Sequence, residues 1–125
     1  MLRFARSVDD RDKIVSALAR IESKSAIVRL GKGHRMLPDE ATMALDFVAD
    51  ALNRITEQPI TAVVLDTAAI LVERHYLRAL DAVQLGSAVV SRNLLTVPGM
   101  RFVASDKELL EAAQKEGFDT WNPCD

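Results

Sequence analysis

Glu22 in SALARIESKSA, Asp81 in LRALDAVQLGSA and Asp106 in RFVASDKELLEAA each interrupt or follow an apolar stretch. An ionised acid in such surroundings is costly unless its charge is compensated, and a bound cation is one compensator. Carboxylate oxygens are hard donors suited to a hard cation. Each acid also has a plainer explanation. Asp81 can cap a helix or pair with Arg78 or Arg74, Asp106 can cap the helix that follows it, and Glu22 can pair with Lys24 or Arg29. The three together favour a shared cation site. His34 and His75 have no second His or Cys at ligand spacing and are expected on the solvent side, and Gly31-Lys32-Gly33 is a helix terminator too short for a phosphate loop.

The elements that position these acids follow from periodicity and punctuation. Lys13–Ser16 reads as a short strand, and Ser16 caps a helix over 17–30 in which Leu18, Ile21, Ser25 and Val28 form one stripe, with Glu22 at its border. Pro38-Asp39-Glu40 starts a helix whose Ala41, Leu45, Val48, Leu52 and Ile55 recur at helical spacing, and Glu57-Gln58-Pro59 breaks it. The β-rich run 60–65 predicts a strand, after which Asp66 or Thr67 caps a helix carrying Ala69, Val72 and Tyr76. A further helix runs from about Leu80 through Asp81 to Arg92. The turn Thr96-Val97-Pro98-Gly99 precedes a strand over 101–104, then a helix over 107–116 ended by Gly117, and a last strand over 118–121. Strands alternating with helices predict a parallel α/β sheet in one domain spanning 1–125.

At 125 residues and 49% hydrophobic, the chain can bury a core without staples, and Cys124 has no intrachain partner. No apolar run is long enough to span a bilayer, and the charged opening Met1–Arg6 lacks the apolar block of a secretory signal, so a cytoplasmic location and no membrane contact are expected. The net charge of −2 gives no general affinity for polyanions, but it is unevenly spread. Residues 1–35 hold nine Lys/Arg against four Asp/Glu, and the rest of the chain seven against fourteen. A basic stretch beside an acidic cluster suits a site that attracts phosphates and chelates cations, although solvated helix faces account for the counts equally simply.

The motifs LRALDAVQLGSA around Asp81 and FVASDKELLEAAQKEGF around Asp106, with the strand–helix junction ALARIES around Glu22 and the closing WNP of 121–123, resemble the PIN-domain family of metal-dependent nucleases, most closely the bacterial VapC-type toxins. The resemblance runs from about Lys13 onward. It implies a PIN-like three-layer α/β/α domain whose parallel strands gather acids in a cleft that binds Mg²⁺ or Mn²⁺ and cuts RNA. Glu22, Asp81 and Asp106 match the family's second, third and fourth acids, as metal ligands and catalytic groups, and Ser105 matches the small hydroxylated residue before the last acid.

The departure is at the amino end. The family's first strand, with its hydrophobic-Asp-Thr-Ser motif, has no room before Glu22, so the domain reads as N-terminally truncated. Asp9, Asp10 and Asp12 precede the strand at Lys13 and would lie at the wrong edge of a parallel sheet, and Val64-Leu65-Asp66-Thr67 reads as a helix start. Two functions compete: a Mg²⁺-dependent endoribonuclease of the VapC kind, or a catalytically impaired PIN-like module that binds an antitoxin protein, RNA or itself. Both expect the three acids to converge at the carboxyl edge of the sheet. The open sheet edges left by the shortened fold lead us to expect a homodimer.

Overall fold

A computed structural model describes residues 14–95 and 100–124. Strand β1 (Ile14–Ser16) leads into helix α1 (Leu18–Lys32), followed by α2 (Pro38–Asn53), β2 (Thr56–Gln58), α3 (Ala62–His75), α4 (Ala79–Leu95), β3 (Arg101–Val103), α5 (Lys107–Lys115) and β4 (Asp119–Trp121). The strands form two parallel pairs, β1 with β2 in the register Ile14↔Thr56 and β3 with β4 in the register Arg101↔Asp119. Each pair is a crossover unit, β1-α1-α2-β2 and β3-α5-β4, as parallel pairing requires. The result is a small three-layer α/β/α arrangement. Where the sequence predicts one parallel sheet, no ladder among the described residues joins the two pairs.

Local chemistry explains most boundaries. At the start of α2 the Glu40 carboxylate accepts from the Leu37 N–H at 3.1 Å, and Pro38 occupies the first turn, where its missing N–H costs nothing. Thr61 Oγ1 accepts from the Val64 N–H at 3.3 Å and caps α3, and Asp106 Oδ1 accepts from the Leu109 N–H at 3.0 Å and caps α5. Gly117, at φ +93°, makes the left-handed turn out of α5 that a side chain would resist. The core lies between α3, α4, α5 and β3, around Leu71, Leu85, Phe102, Leu109, Ala113 and Phe118. The rings of Phe102 and Phe118 sit 5.9 Å apart, and the Arg92 guanidinium lies 4.2 Å over the Phe118 ring.

The tightest packing joins α3 and α4. A Cβ added at Gly86 would stand 3.2 Å from both the Ala68 nitrogen and the Val64 carbonyl oxygen, which are backbone atoms that cannot swing aside. Beyond α3, a polar clamp ties the chain to the end of α5. Glu116 accepts from Arg74 Nη1 at 2.9 and 2.8 Å through its two oxygens and lies 2.6 Å from His75 Nε2. Burial alone would raise the Glu116 carboxyl, but the bonds and charges of Arg74 and His75 more than reverse this and hold it below its ordinary range.

Several expectations are corrected. The run 60–65 is not a strand, because Thr61 caps a helix there, and the strand lies instead at Thr56–Gln58. Asp66 and Thr67 are therefore inside α3 rather than at its cap, and its buried face is Val64, Ala68 and Leu71, while Tyr76 is 90% exposed. In α1 the expected inner stripe faces outward, with Ile21 71% exposed and Val28 half exposed, and Ile27 is buried instead. Gly31 lies within α1, which ends at Gly33. His75 is only 7% exposed at its side chain, since Glu116 draws it inward, whereas His34 is exposed as expected. Met1–Arg6, Asp9, Asp10, Asp12 and the turn at 96–99 lie outside the described residues.

Two outcomes follow from this packing. Gly86→Val should destabilise the protein by about 1–3 kcal/mol, the usual cost of overpacking a filled interface, and be visible as a lower urea midpoint. Glu116→Gln should cost roughly 1–2 kcal/mol at pH 7, because it leaves His75 and Arg74 without their charged acceptor. A carboxyl whose pKa is lowered by folding stabilises above its unfolded value, near 4.5, and that stability is lost as pH falls through the folded value. The gap between Glu116→Gln and the parent should therefore close on acidification. A gap that persisted at pH 3 would mean packing, not charge, carries the effect.

Candidate functional site

Helix α4 presents a polar stripe toward β1 and β2, unusual for a helix that packs on both a sheet and another helix. Asp81, Gln84, Ser87 and Ser91 follow one another at three- and four-residue spacing and so share a face. Ser91 Oγ donates to Gln58 Oε1 at 2.8 Å, and Ser87 Oγ lies 3.2 Å from Ser16 Oγ and 2.8 Å from the Val83 carbonyl oxygen. Ser87 and Ser91 are almost fully buried, and these partners satisfy them. Ser16 also accepts from the Leu18 N–H at 3.3 Å, so one hydroxyl links the end of β1, the start of α1 and the middle of α4.

At the amino end of the stripe lies Asp81, one of the three predicted acids. Asp81 lies in the first turn of α4 and is half-buried; Glu22 lies on α1 six residues past β1; Asp106 lies three residues past β3. Asp81 is pushed above the ordinary aspartate range, first by burial, then by the charge of Asp106, with Glu22 and Glu108 adding to it and Arg78 opposing it. Asp106 and Glu22 thus each lie within electrostatic reach of Asp81, and they follow the carboxyl ends of β3 and β1, the edge where open α/β sheets place their ligands. They are held differently. Glu22 is bound through both oxygens by Gln84, Asp106 by the amide it caps, and no hydrogen bond among the described residues reaches the Asp81 carboxylate. Ser105 is exposed beside Asp106.

This is an acid cluster rather than a closed chelate. Among the described residues, no three His, Cys, Asp or Glu side chains come together closely enough to hold one metal ion directly. Carboxylate oxygens are the donor type that a hard divalent cation such as Mg²⁺ takes, with water filling the positions that protein does not. Sequence reasoning missed Gln84, which carries no charge, and the buried hydroxyls; their signal was the polar residues interrupting an otherwise apolar helix face.

A separate cleft of about 300 Å³ lies between α1 and α2, lined by Arg20, Lys24, Leu45, Asp46, Val48 and Leu52 among others. None of the three acids lines it. Arg20 in this lining is paired with Glu57 at 3.1 Å. Among the described residues, no helix is long and apolar enough to cross a membrane.

The raised Asp81 has a measurable consequence. An acid whose pKa is raised by folding opposes the fold as it ionises, so its penalty is absent below the unfolded value near 3.8 and grows as pH rises through the folded value. In metal-free protein, Asp81→Asn should melt about 2–3 °C higher than the parent at pH 7, and the two should coincide near pH 3. A variant that melts lower at pH 7 would show that Asp81 is a structural acid whose partners the geometry does not display. No protein-family model matches the chain and no curated protein matches it, so the likeness to the PIN-domain family rests on the motifs around Glu22, Asp81 and Asp106 alone.

Proposed function

We propose that this protein is a Mg²⁺- or Mn²⁺-dependent endoribonuclease of the PIN, VapC-toxin kind, and that Asp81 is the principal ligand. The observation that carries this reading is the grouping of Glu22 and Asp106 around Asp81, a half-buried acid that is raised in pKa and that no described donor meets. Acids perturbed in this way gather at functional sites. The cation, when bound, supplies an acidified water as nucleophile and neutralises the charge of the scissile phosphodiester. Asp81 would bind it directly, while Glu22 and Asp106, held by Gln84 and by the α5 cap, would hold its waters in place. Ser105, exposed at the rim, would donate to a phosphate oxygen, and the basic face of α1 with Lys24 would draw the RNA backbone in.

A second reading is supported by the same geometry. The three acids do not form a direct chelate, and α1 and α2 expose Ile21 and Met43 at 71% each with Phe47 at 46%, an apolar surface of the kind that marks partner binding. On this reading the domain is a catalytically impaired PIN-like module that binds an antitoxin, RNA or a second copy of itself. A homodimer is part of both proposals.

Cleavage of a mixed RNA substrate with Mn²⁺, with EDTA and with the Asp81→Asn variant separates them. The nuclease reading expects metal-dependent cleavage that falls at least ~100-fold in Asp81→Asn, the order expected when a principal catalytic group is removed. Calorimetric titration should give Mn²⁺ affinity weaker than ~1 µM, because water fills coordination positions that a complete site would occupy. RNA left intact together with no Mn²⁺ uptake would sink the nuclease reading and leave the binding module. Light scattering on the eluting protein tests the dimer, and a single monomeric species at micromolar concentration would remove it from both.

A further inference from the structure

We propose that Tyr76, flanked by Arg74 and Arg78, is a stacking platform for an unpaired base of a single-stranded nucleic acid. Its side chain is 90% exposed. Its backbone is left-handed, at φ 57° and ψ 34°, and closes α3 by donating its N–H to the Val72 carbonyl oxygen at 2.9 Å. Glycine takes that conformation freely, whereas a bulky residue is strained there. Packing does not explain a ring that touches so little of the molecule. Capping does not explain it either, because the backbone alone makes the turn.

The neighbours define what the ring would meet. Residues 76–78 connect α3 to α4, and Leu77, buried in the core, pins that connection, so Tyr76 and Arg78 both stand on the surface. The Arg78 carbonyl oxygen accepts from the Ala82 N–H at 2.9 Å, which roots Arg78 at the start of α4. Arg74 is held by Glu116 yet keeps 54% of its side chain exposed. An exposed ring between two guanidiniums suits a ligand that is planar and anionic at once. Unpaired nucleotides offer both, a base to stack and phosphates for the arginines, whereas the bases of a duplex are already stacked. Val72 and Leu80 are exposed as well, but an apolar partner seated on them would have to desolvate the guanidiniums beside the ring, which a phosphate meets instead. The inference names a substrate contact of the nuclease proposed above and rests on that reading for its consequence: Asp81 follows Arg78 by about one helical turn, so a base held at Tyr76 would fix the strand near that acid.

Binding is measured in EDTA, so that it does not depend on a metal. The probe is a fluorescein-labelled oligouridine of about 12 nucleotides, within the span of single-strand sites, read by anisotropy. The parent should bind it, and Tyr76→Ala and Tyr76→Gly should each bind about 10-fold more weakly, the loss expected when one base is deprived of its aromatic partner. Tyr76→Trp should keep the affinity. Tyr76→Gly should melt at or above the parent, because glycine relieves the left-handed turn, so its weaker binding would not come from a weaker fold. Arg78→Ala should lessen the slope of log K against log salt by roughly 0.7, the share of one phosphate on a single strand. The same losses with oligothymidine would support a platform for single strands in general, and losses confined to oligouridine one for RNA. No binding by the parent at low salt, or unchanged affinity in Tyr76→Gly, would overturn the inference. So would a Tyr76→Ala protein that binds as tightly as the parent but scatters light as a smaller species, which would assign the ring to contact with a second copy. Binding that depends on Tyr76, in a parent that leaves RNA intact with Mn²⁺, would sink the nuclease reading and support this contact by itself.

Discussion

The close approach of α4 to α3 at Gly86 is the constraint on which the rest of this structure depends. With backbone atoms of Ala68 and Val64 3.2 Å from where a Cβ would sit, α4 can neither roll nor slide without separating from α3. Everything chemically distinctive rides on α4: Asp81 at its first turn, Gln84 one turn on, then Ser87 and Ser91. Fixing the helix against α3 on one side leaves its other side facing β1 and β2, and that side is polar. The sheet answers with Ser16 and Gln58, so the polar stripe is satisfied without water being needed at either serine.

Electrostatics and packing pull in opposite directions at the amino end of α4. An acid in the first turn of a helix is ordinarily favourable, because it faces the positive end of the dipole. Here burial and the charges of Asp106 and Glu22 outweigh that benefit and the pull of Arg78, and Asp81 is raised. Compare Glu116, which is buried as well but is met by Arg74 and His75 and lowered. The two acids differ in partners rather than in burial alone. Charge-assisted donors clamp α3 to the end of α5 at Glu116, whereas among the described residues none donates to the Asp81 carboxylate.

Much of this was legible in the chain, for reasons that can be named. The helices at Pro38–Asn53, Ala79–Leu95 and Lys107–Lys115 announce themselves through a first-turn proline with following acids, a long apolar period and an Asp cap closed by Gly117. The places of Glu22 and Asp106 after strands and of Asp81 at a helix start were legible from the same signals. The region 56–65 failed because Ile60, Thr61, Val63 and Val64 carry β-branched side chains, whereas the decisive interaction is a single Thr61 hydroxyl capping the Val64 amide. β2 was missed for the opposite reason: Thr56-Glu57-Gln58 has no apolar alternation, and it becomes a strand only because β1 pairs with it and Ser91 satisfies Gln58. The inward turn of His75 depends on Glu116, far along the chain, and no local pattern encodes it.

The two strand pairs complete the physical account. Each strand is three residues long, so each pair contributes few ladder bonds, and helix packing must carry most of the stability. The pairs are tied to the molecule in different ways: β1 and β2 by hydrogen bonds from the α4 serines, β3 and β4 by the apolar core around Phe102 and Phe118. The polar attachment specifies register, since a slip of one residue would turn Ser16 and Gln58 away from Ser87 and Ser91 and leave the buried Ser91 hydroxyl without its partner and Ser87 with the Val83 carbonyl alone. The apolar attachment specifies little beyond depth. Glu22 follows the first pair and Asp106 the second, so the spacing of the acid cluster is set by how two differently anchored pairs sit against one helix.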